Sequence, residues 1–146
     1  MSLTAIALCL VVGVSDGDTL TVRCGEPGQY QQVRVRLSAV DAPEARQPFG
    51  QRSKQGLSDL CFHQVATVAP VSGDRYGRTV ANVQCQGQDA GTAQVRAGLA
   101  WFYPRYGKGR GDLSRAEREA REARQGLWAD LGTRQEPVAP WDWRRK

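Results

Sequence analysis

Histidine is almost absent from this sequence, because His63 is the only one among 146 residues. A zinc site with two histidines therefore cannot form, and a Ser-His-Asp triad would depend on this single residue. The four cysteines include no CxxC pair, which argues against a zinc knuckle or a thioredoxin-type centre. Any catalytic site must therefore be built mainly from other residue types.

Long apolar segments are also missing. Residues 3–14 form an uncharged run of twelve residues, whereas a membrane-spanning helix needs about 20. The run has no basic segment before it and no distinct cleavage site, and it leads directly into an Asp-Gly-Asp turn. We therefore interpret it as the first strand and expect no membrane insertion.

The composition is that of a globular domain, with 40% hydrophobic and 24% charged residues. The net charge is +5, and the excess lies in the second half: residues 61–146 carry fourteen basic and nine acidic groups. A basic half favours a phosphate-bearing partner. Nothing in the sequence demands more than a monomer.

The cysteine spacing favours two disulfides. If Asp16-Gly17 is a hairpin tip, Cys9 and Cys24 are equidistant from it and face each other across the ladder. Cys61 would then pair with Cys85. Four buried thiols in a cytosolic protein are the alternative. Oxidised cysteines predict an exported protein, periplasmic or secreted, whose signal peptide is absent from this sequence.

The hydropathy pattern predicts a mainly β domain with helices (α+β). The predicted strands are residues 7–14, 19–24, 32–40, 65–71 and 79–85, and the predicted helices are residues 47–61, 93–100 and 112 or 114 to 125. Strands and helices do not alternate, which argues against a Rossmann sheet. The order fits a five-stranded Greek-key barrel of the oligonucleotide-binding (OB) kind, capped by about three helices.

The last residues of the sequence differ from the rest. We expect a domain over residues 1–130 and a basic C-terminal tail over residues 131–146. Residues 137–146 hold two tryptophans and three basic residues. Such a segment can stack on nucleic acid, but we expect it to fold back against the domain.

Four carboxylates lie at strand ends: Asp16 and Asp18 in the first turn, and Asp41 and Glu44 after the third strand. Each alone is ordinary turn or loop chemistry. If both segments lie at one rim of the barrel, Asp18 and Asp41 converge, and two such carboxylates repel each other unless a cation lies between them. Oxygen ligands without histidine favour Ca²⁺ or Mg²⁺.

Two arginines are candidates for the same rim. Arg36 lies in the third predicted strand and Arg78 ends the turn before the fifth. Guanidinium groups match phosphate oxygens in fork geometry. The alternatives are a structural ion pair of Arg36 with Asp41 or Glu44, and a solvated turn residue at Arg78. A cation, a spare carboxylate and two arginines suit phosphodiester hydrolysis.

Four sequence strings carry a resemblance to a known family. They are DGDT at residues 16–19, VRL at 35–37 followed by VDAPE at 40–44, DRYGR at 74–78, and VRAGLA at 95–100. In this order and spacing, from about residue 7 to residue 128, the chain resembles the staphylococcal nuclease (thermonuclease) family.

The resemblance implies roles for individual residues. Glu44 would orient and activate the attacking water, while Arg36 and Arg78 would clamp the phosphate. The implied Ca²⁺ ligands are Asp18, Asp41 and the backbone carbonyl of Ala42, with Asp16 supporting them indirectly. The implied substrate contacts are Arg75, Tyr76 and Tyr103.

The implied activity is Ca²⁺-dependent endonucleolytic cleavage of DNA and RNA with low sequence specificity, leaving 3′-phosphate ends. A catalytically inactive OB-fold module that binds nucleic acid is the alternative, and a structural domain stabilised by Ca²⁺ or an anion is the third hypothesis. An inactive module would be expected to lack the carboxylates, which are present here, so the enzyme is favoured.

Overall fold

The structure is a computed structural model that describes residues 3–145. The strands are β1 Ala7–Asp16, β2 Thr19–Cys24, β3 Gln31–Leu37, β4 Val40–Asp41, β5 Val65–Gly73, β6 Thr79–Cys85, β7 Gln88–Asp89 and β8 Trp101–Phe102. The α-helices are α1 Gly50–Cys61, α2 Ala90–Arg96, α3 Gly111–Glu122 and α4 Pro140–Trp143, and two 3₁₀-helices span Pro104–Tyr106 and Gly126–Asp130.

Five strands close into a barrel. Antiparallel pairing runs through β3, β2, β1, β5 and β6 in that order, and a parallel pairing of β3 with β6 completes the circle. In this closing pair Val35 lies opposite Thr79 and Arg36 lies opposite Val80. The predicted five-stranded OB-type barrel with helices is therefore confirmed.

Strand β3 shows why the barrel forms. Val33, Val35 and Leu37 alternate with arginines and are buried in the core, whereas Arg34 is exposed and Arg36 is half-buried on the outer side. Successive side chains of a strand point to opposite faces, so this alternation produces one apolar and one polar face. The functional arginine candidate therefore lies on the outer face, next to the closing pair.

The third predicted strand, residues 32–40, is interrupted in the structure. Strand β3 ends at Leu37, Ala39 takes a left-handed conformation with φ 64°, and the chain then continues as β4. Strand β4 pairs with β8, with Asp41 opposite Trp101. Asp41 therefore belongs to a second, two-stranded sheet, and a turn directs it back toward the end of β3.

Both disulfides have the predicted partners. Cys9 and Cys24 lie opposite each other in the β1–β2 ladder and are bonded, and Cys61 at the end of α1 is bonded to Cys85 on β6. Among the described residues there is no free cysteine. The second bond fixes α1 to the barrel wall, which stabilises the fold chiefly by restricting the unfolded chain.

The helix limits differ from the predicted ones. Helix α1 begins at Gly50 rather than at residue 47, because residues 44–47 form a separate turn. Helix α2 begins three residues earlier than predicted, since the Asp89 side chain accepts a hydrogen bond from the Thr92 amide (2.9 Å) and caps it. Helix α3 begins at Gly111, so neither residue 112 nor residue 114 caps it. No helix within residues 3–145 is long and apolar enough to cross a bilayer.

The C-terminal tail lies against the domain. Trp141 makes an edge contact with Trp101, their ring centroids being 6.5 Å apart. Trp101 in turn packs on Trp128 and Leu127, which form a second apolar cluster beside the barrel core. The boundary at residue 130 stays a prediction.

Candidate active site

Asp18, Asp41 and Arg36 meet at one end of the barrel. The Arg36 Nη2 atom lies 3.3 Å from Asp18 Oδ2 and 3.2 Å from Asp41 Oδ1. Both carboxylates are deeply buried, with exposed fractions of 5% and 1%. The first turn and the segment after β3 thus bring two distant acidic residues to a single guanidinium.

A close approach of the first turn makes this convergence possible. A Cβ atom at Gly17 would lie 1.8 Å from the Ser53 hydroxyl and 2.9 Å from the Ala42 Cβ, so only glycine fits. The Asp18 Oδ2 atom therefore reaches the Ala42 amide, which donates a hydrogen bond to it at 2.8 Å. The buried Gln94 side chain of α2 donates to the Gly17 carbonyl (2.9 Å) and holds the turn in place.

Arg36 is held rigidly by backbone contacts as well as by the carboxylates. Its Nη1 atom donates to the carbonyls of Leu37 and Val40, each at 2.7 Å. The sequence left open a structural ion pair of Arg36 with Asp41 or Glu44. The structure contains the pair with Asp41, and the second carboxylate that Arg36 contacts is Asp18 instead of Glu44. One edge of the guanidinium fixes the β3–β4 turn and the other faces the carboxylates.

The electrostatics of the site are those of crowded, buried acids. Burial raises the pKa of Asp16 to about 7, and the neighbouring carboxylate of Asp18 adds to the effect. Burial also raises the pKa of Asp41, against the hydrogen bond from Arg144. For Asp18, the opposing charge of Arg36 and hydrogen bonds from its neighbours outweigh burial and lower the pKa. A cation placed among these groups would relieve their mutual repulsion.

The donor set suits a hard cation. The carboxylates of Asp18 and Asp41 are oxygen ligands of the kind that Ca²⁺ prefers, and the Ala42 carbonyl stays a predicted third ligand. Within residues 3–145, no group of three or more His, Cys, Asp or Glu side chains has a metal-binding arrangement. The chain therefore offers two carboxylates, and a bound ion would complete its coordination with backbone oxygen and water.

Glu44 lies at the open side of this cluster, with a side chain that is 38% exposed. The loop that carries it is fixed by the buried Gln47, whose side-chain oxygen accepts a hydrogen bond from the Glu44 amide at 3.0 Å. The Glu44 carbonyl also lies so close to α1 that a Cβ at Gly50 would be 2.1 Å from it. A partly solvated carboxylate on a fixed loop is suited to accepting a proton from water.

Sequence reasoning missed Arg144. Its Nη2 atom lies 2.7 Å from Asp41 Oδ2 and its Nη1 atom lies 2.6 Å from Glu44 Oε1. The basic residues after Trp143 were the only sequence feature that pointed to a role for the tail. No pattern in the sequence connects Arg144 with Asp41, which lies 103 positions earlier. Gln47 and Gln94 were missed as well, because buried glutamines carry no periodic signature.

The β5–β6 hairpin carries the remaining basic candidates. Arg78 Nε lies 2.6 Å from Asp74 Oδ2, and the guanidinium groups of Arg75 and Arg78 lie 5.0 and 5.3 Å from the centre of the Tyr76 ring. Among the described residues, Arg78 makes no ion pair with Asp18, Asp41 or Glu44. Arg78 therefore forms, with Tyr76, a separate cluster just before the strand that pairs with β3.

Asp74 should stabilise this hairpin, and its replacement by asparagine tests that. Its Oδ1 atom accepts hydrogen bonds from the amides of Tyr76 and Arg78, each at 2.9 Å. These bonds and the Arg78 side chain outweigh the small effect of burial and lower the pKa of Asp74. We expect Asp74→Asn to lower the free energy of unfolding by about 1–2 kcal/mol at pH 7.

The stabilisation by Asp74 should decrease as the pH falls. A carboxyl whose pKa is lower in the folded state stabilises the fold above the pKa of the unfolded chain, and this contribution disappears as the pH falls through the folded value. The difference in the free energy of unfolding between the wild type and Asp74→Asn should therefore shrink below about pH 4. Thermal denaturation at pH 7 and pH 3 measures it, with the exposed Asp59→Asn as the control. A difference that is the same at both pH values would contradict this account.

Tyr103 lies close to the carboxylate cluster through the second sheet. It follows β8, whose residue Trp101 pairs with Asp41, and its amide donates to the Ala39 carbonyl at 2.9 Å. The Tyr103 ring stacks on Trp141 with a centroid distance of 4.9 Å and an angle of 10°. Tyr106 contacts its edge at 5.1 Å. The ring is therefore an aromatic platform beside the acidic site.

Comparisons with known proteins agree with this geometry. Residues 34–130 match the family described as Staphylococcal nuclease homologue. An "Uncharacterized endonuclease" of Haemophilus influenzae is 42% identical over 138 residues, which cover 94% of this chain and 73% of that protein. A "Micrococcal nuclease" of Shigella flexneri is 40% identical over 145 residues, with 92% and 79% covered. The "Staphylococcal-like nuclease CAN1" of Arabidopsis thaliana is 36% identical over 115 residues, with 79% and 34% covered.

A closed five-stranded barrel with paired carboxylates and an arginine at one end defines a nuclease-like OB-fold domain. The chain belongs to the staphylococcal nuclease family. Its relatives support a hydrolytic nuclease activity.

Proposed function

We propose that this protein is a Ca²⁺-dependent endonuclease that hydrolyses phosphodiester bonds of DNA and RNA with low sequence specificity and leaves 3′-phosphate ends. The observation that carries the proposal is the convergence of Asp18 and Asp41 on the Arg36 guanidinium, at 3.3 and 3.2 Å. Carboxylates for a hard cation beside a fixed arginine are the parts that phosphodiester hydrolysis needs.

The metal would be held by Asp18, Asp41 and the carbonyl of Ala42, with Asp16 supporting Asp18 from behind. Asp16 does so through the Asp18 amide, which donates to its Oδ1 atom at 3.1 Å. Bound Ca²⁺ would supply Lewis-acid polarisation of the phosphoryl oxygen. Arg36 holds both carboxylates before any ion binds, which lowers the cost of organising the site.

The protein side chains divide the remaining work. Glu44 accepts a proton from the attacking water and orients it, because it is the partly exposed carboxylate at the rim of the site. Arg36 and Arg78 bind the phosphate oxygens and stabilise the charge that develops on them. Both remain protonated throughout, so their contribution is electrostatic.

Substrate binding would use ring faces and charges shared by all nucleotides. Arg75 and Tyr76 on the β5–β6 hairpin would contact a neighbouring phosphate, and Tyr103 would stack on a base or bond to the nucleotide. Tyr76 is exposed, and Arg75 donates a hydrogen bond to its hydroxyl at 2.8 Å. Stacking and phosphate contacts tolerate every base, so they support low sequence specificity.

A cleavage assay with metal controls tests the function. Purified protein is incubated with denatured DNA or RNA in the presence of Ca²⁺, Mg²⁺ or excess chelator, and the product ends are analysed by mass spectrometry. We expect cleavage only with Ca²⁺ and 3′-phosphate termini. Binding without cleavage at every Ca²⁺ concentration would favour the inactive OB-fold module, and Ca²⁺-dependent melting without either would favour a structural domain.

We also propose that the protein is exported, to the periplasm or beyond the cell, and acts as a monomer. The two disulfides support export, because such bonds persist in oxidising compartments. Counting free thiols in the unfolded, unreduced protein tests the first point, and four free thiols would remove the case for export. Light scattering tests the second.

A further inference from the structure

The C-terminal tail places the guanidinium group of Arg144 inside the candidate active site. Arg144 contacts both oxygens of Asp41, at 2.7 Å and 3.3 Å, and its Nη1 atom also contacts Glu44 Oε1 at 2.6 Å. The guanidinium therefore lies between the buried carboxylate assigned to the metal and the exposed carboxylate assigned to the water. With Arg36 on the other side, both oxygens of Asp41 face positively charged groups.

A second contact of the tail covers the aromatic platform. The indole of Trp141 stacks in parallel on Tyr103, at 4.9 Å and 10°. This is the geometry in which a nucleobase stacks on an aromatic side chain. The tail therefore presents a flat ring and a positive charge three residues apart, one on the candidate base platform and the other on the candidate metal ligands.

A third contact ties the tail to the loop that carries Glu44. The Gln47 side-chain amide donates a hydrogen bond to the Val138 carbonyl, while its oxygen accepts from the Glu44 amide. The three contacts are spread over the tail from Val138 to Arg144. They converge on one site rather than on unrelated parts of the surface.

We propose that the tail is an intramolecular competitor that Ca²⁺ and nucleic acid must displace from the active site. This rests on the proposed function. A guanidinium supplies positive charge and hydrogen bonds to the carboxylates, but it has no open coordination position for a water or a phosphoryl oxygen. It therefore neutralises the carboxylates without replacing the metal. Because metal and guanidinium claim the same oxygens of Asp41, only one of them can be fully coordinated at a time.

The tail is built to be released. Its helix α4 is a single turn of four residues, and the Arg144 side chain is 43% exposed. Its partner Glu44 is 38% exposed, so that ion pair contributes little net stability. The pair with the buried Asp41 is the contact that Ca²⁺ has to replace. When the tail leaves, Asp41 keeps Arg36 as a partner, so opening leaves no buried charge without compensation. The closed state therefore lowers the apparent affinity for ligands without blocking the site permanently.

Arg144→Gln and Arg145→Gln are a matched pair of variants for the test. Each removes one positive charge from the tail, but Arg145 makes no ion pair with any of residues 3–145. Ca²⁺ binding is measured by calorimetry without nucleic acid. We expect Arg144→Gln to bind Ca²⁺ about tenfold more tightly than the wild type, and Arg145→Gln to remain within about twofold of it.

Hydrogen exchange gives a readout independent of affinity and activity. In the wild type, Ca²⁺ together with a phosphorothioate oligothymidylate should accelerate amide exchange over residues 138–145. In Arg144→Gln the exchange should already be fast without ligand. Trp141→Ala should raise the affinity for the oligonucleotide, with the exposed Tyr30→Ala in the β2–β3 loop as its aromatic control, and melting curves verify that each variant is folded.

Three outcomes would overturn the proposal: unchanged Ca²⁺ affinity in Arg144→Gln, weaker Ca²⁺ binding in that variant, or slower exchange in the tail when ligands bind. The second would make Arg144 a positioning residue that orients Asp41 and Glu44. Tighter Ca²⁺ binding without cleavage by any variant would refute the proposed nuclease and leave the competition intact. Cleavage of nucleic acid together with unchanged Ca²⁺ affinity in Arg144→Gln would refute the competition by the tail and leave the proposed nuclease intact.

Discussion

Replacing Glu44 with glutamine should lower kcat by about 10²–10⁴. Glutamine has nearly the same shape, but its amide cannot accept the proton of the attacking water. The hydrogen bonds that fix the loop run through the Glu44 backbone and the Gln47 side chain, so the substitution leaves them in place. Ca²⁺ binding should be retained, because Glu44 is not among the proposed ligands and the loss of its ion pair with Arg144 loosens the tail rather than the metal site.

Initial rates at saturating Ca²⁺ and DNA measure the effect, and calorimetry measures the metal. Glu26→Gln is a suitable control, since Glu26 is exposed in the β2–β3 loop, far along the ladder from the site. Normal turnover in Glu44→Gln would refute the assignment of the base while leaving the metal site intact. A parallel loss of Ca²⁺ affinity would make Glu44 a metal ligand.

Replacing Asp41 with asparagine should reduce Ca²⁺-dependent cleavage by a factor on the order of 10³. Asp41 supplies one of only two buried carboxylates in the proposed ligand set, and its amide analogue binds a divalent cation far more weakly. Thermal stability should not fall. Burial raises the pKa of Asp41, so folding disfavours its ionised form at neutral pH. This offsets the ion pairs with Arg36 and Arg144 that asparagine would weaken.

Melting curves and Ca²⁺ titrations separate the two effects. A protein with an unchanged or higher melting temperature and greatly reduced cleavage would match an active site that is organised at the expense of stability. Asp59→Asn, on the exposed face of α1, controls for loss of one negative charge. Full activity of Asp41→Asn would remove the metal site from its proposed place.

The barrel was predictable because its signals are local. The Asp-Gly-Asp turn identifies the β1–β2 hairpin, but its tip is Gly17-Asp18 rather than the predicted Asp16-Gly17. Two register shifts along β1 bring Cys9 opposite Cys24 all the same. The alternation of Val33 and Val35 with arginines identifies the inner face of β3. The break after Leu37 was missed, since a left-handed alanine at position 39 leaves no trace in hydropathy.

The candidate site was predictable only in part. Acidic residues at two strand ends indicated that Asp18 and Asp41 meet, because a barrel brings alternate strand ends to one rim. Arg144 was not predictable, since its place depends on how an irregular segment crosses the molecule. Gln94 was hidden for a similar reason: its role is to bond two carbonyls that only the folded chain brings together.

The parallel pairing of β3 with β6 has a consequence for heat inactivation. Arg36 lies on one side of this seam and Arg78 immediately precedes the other. If this pairing breaks first on heating, Arg36 and Arg78 separate while the other strand pairs are still formed. Catalytic activity should therefore be lost at the same temperature at which the backbone amides of the β3–β6 pairing lose their protection from hydrogen exchange. Turnover measured during heating then reports whether the barrel is closed.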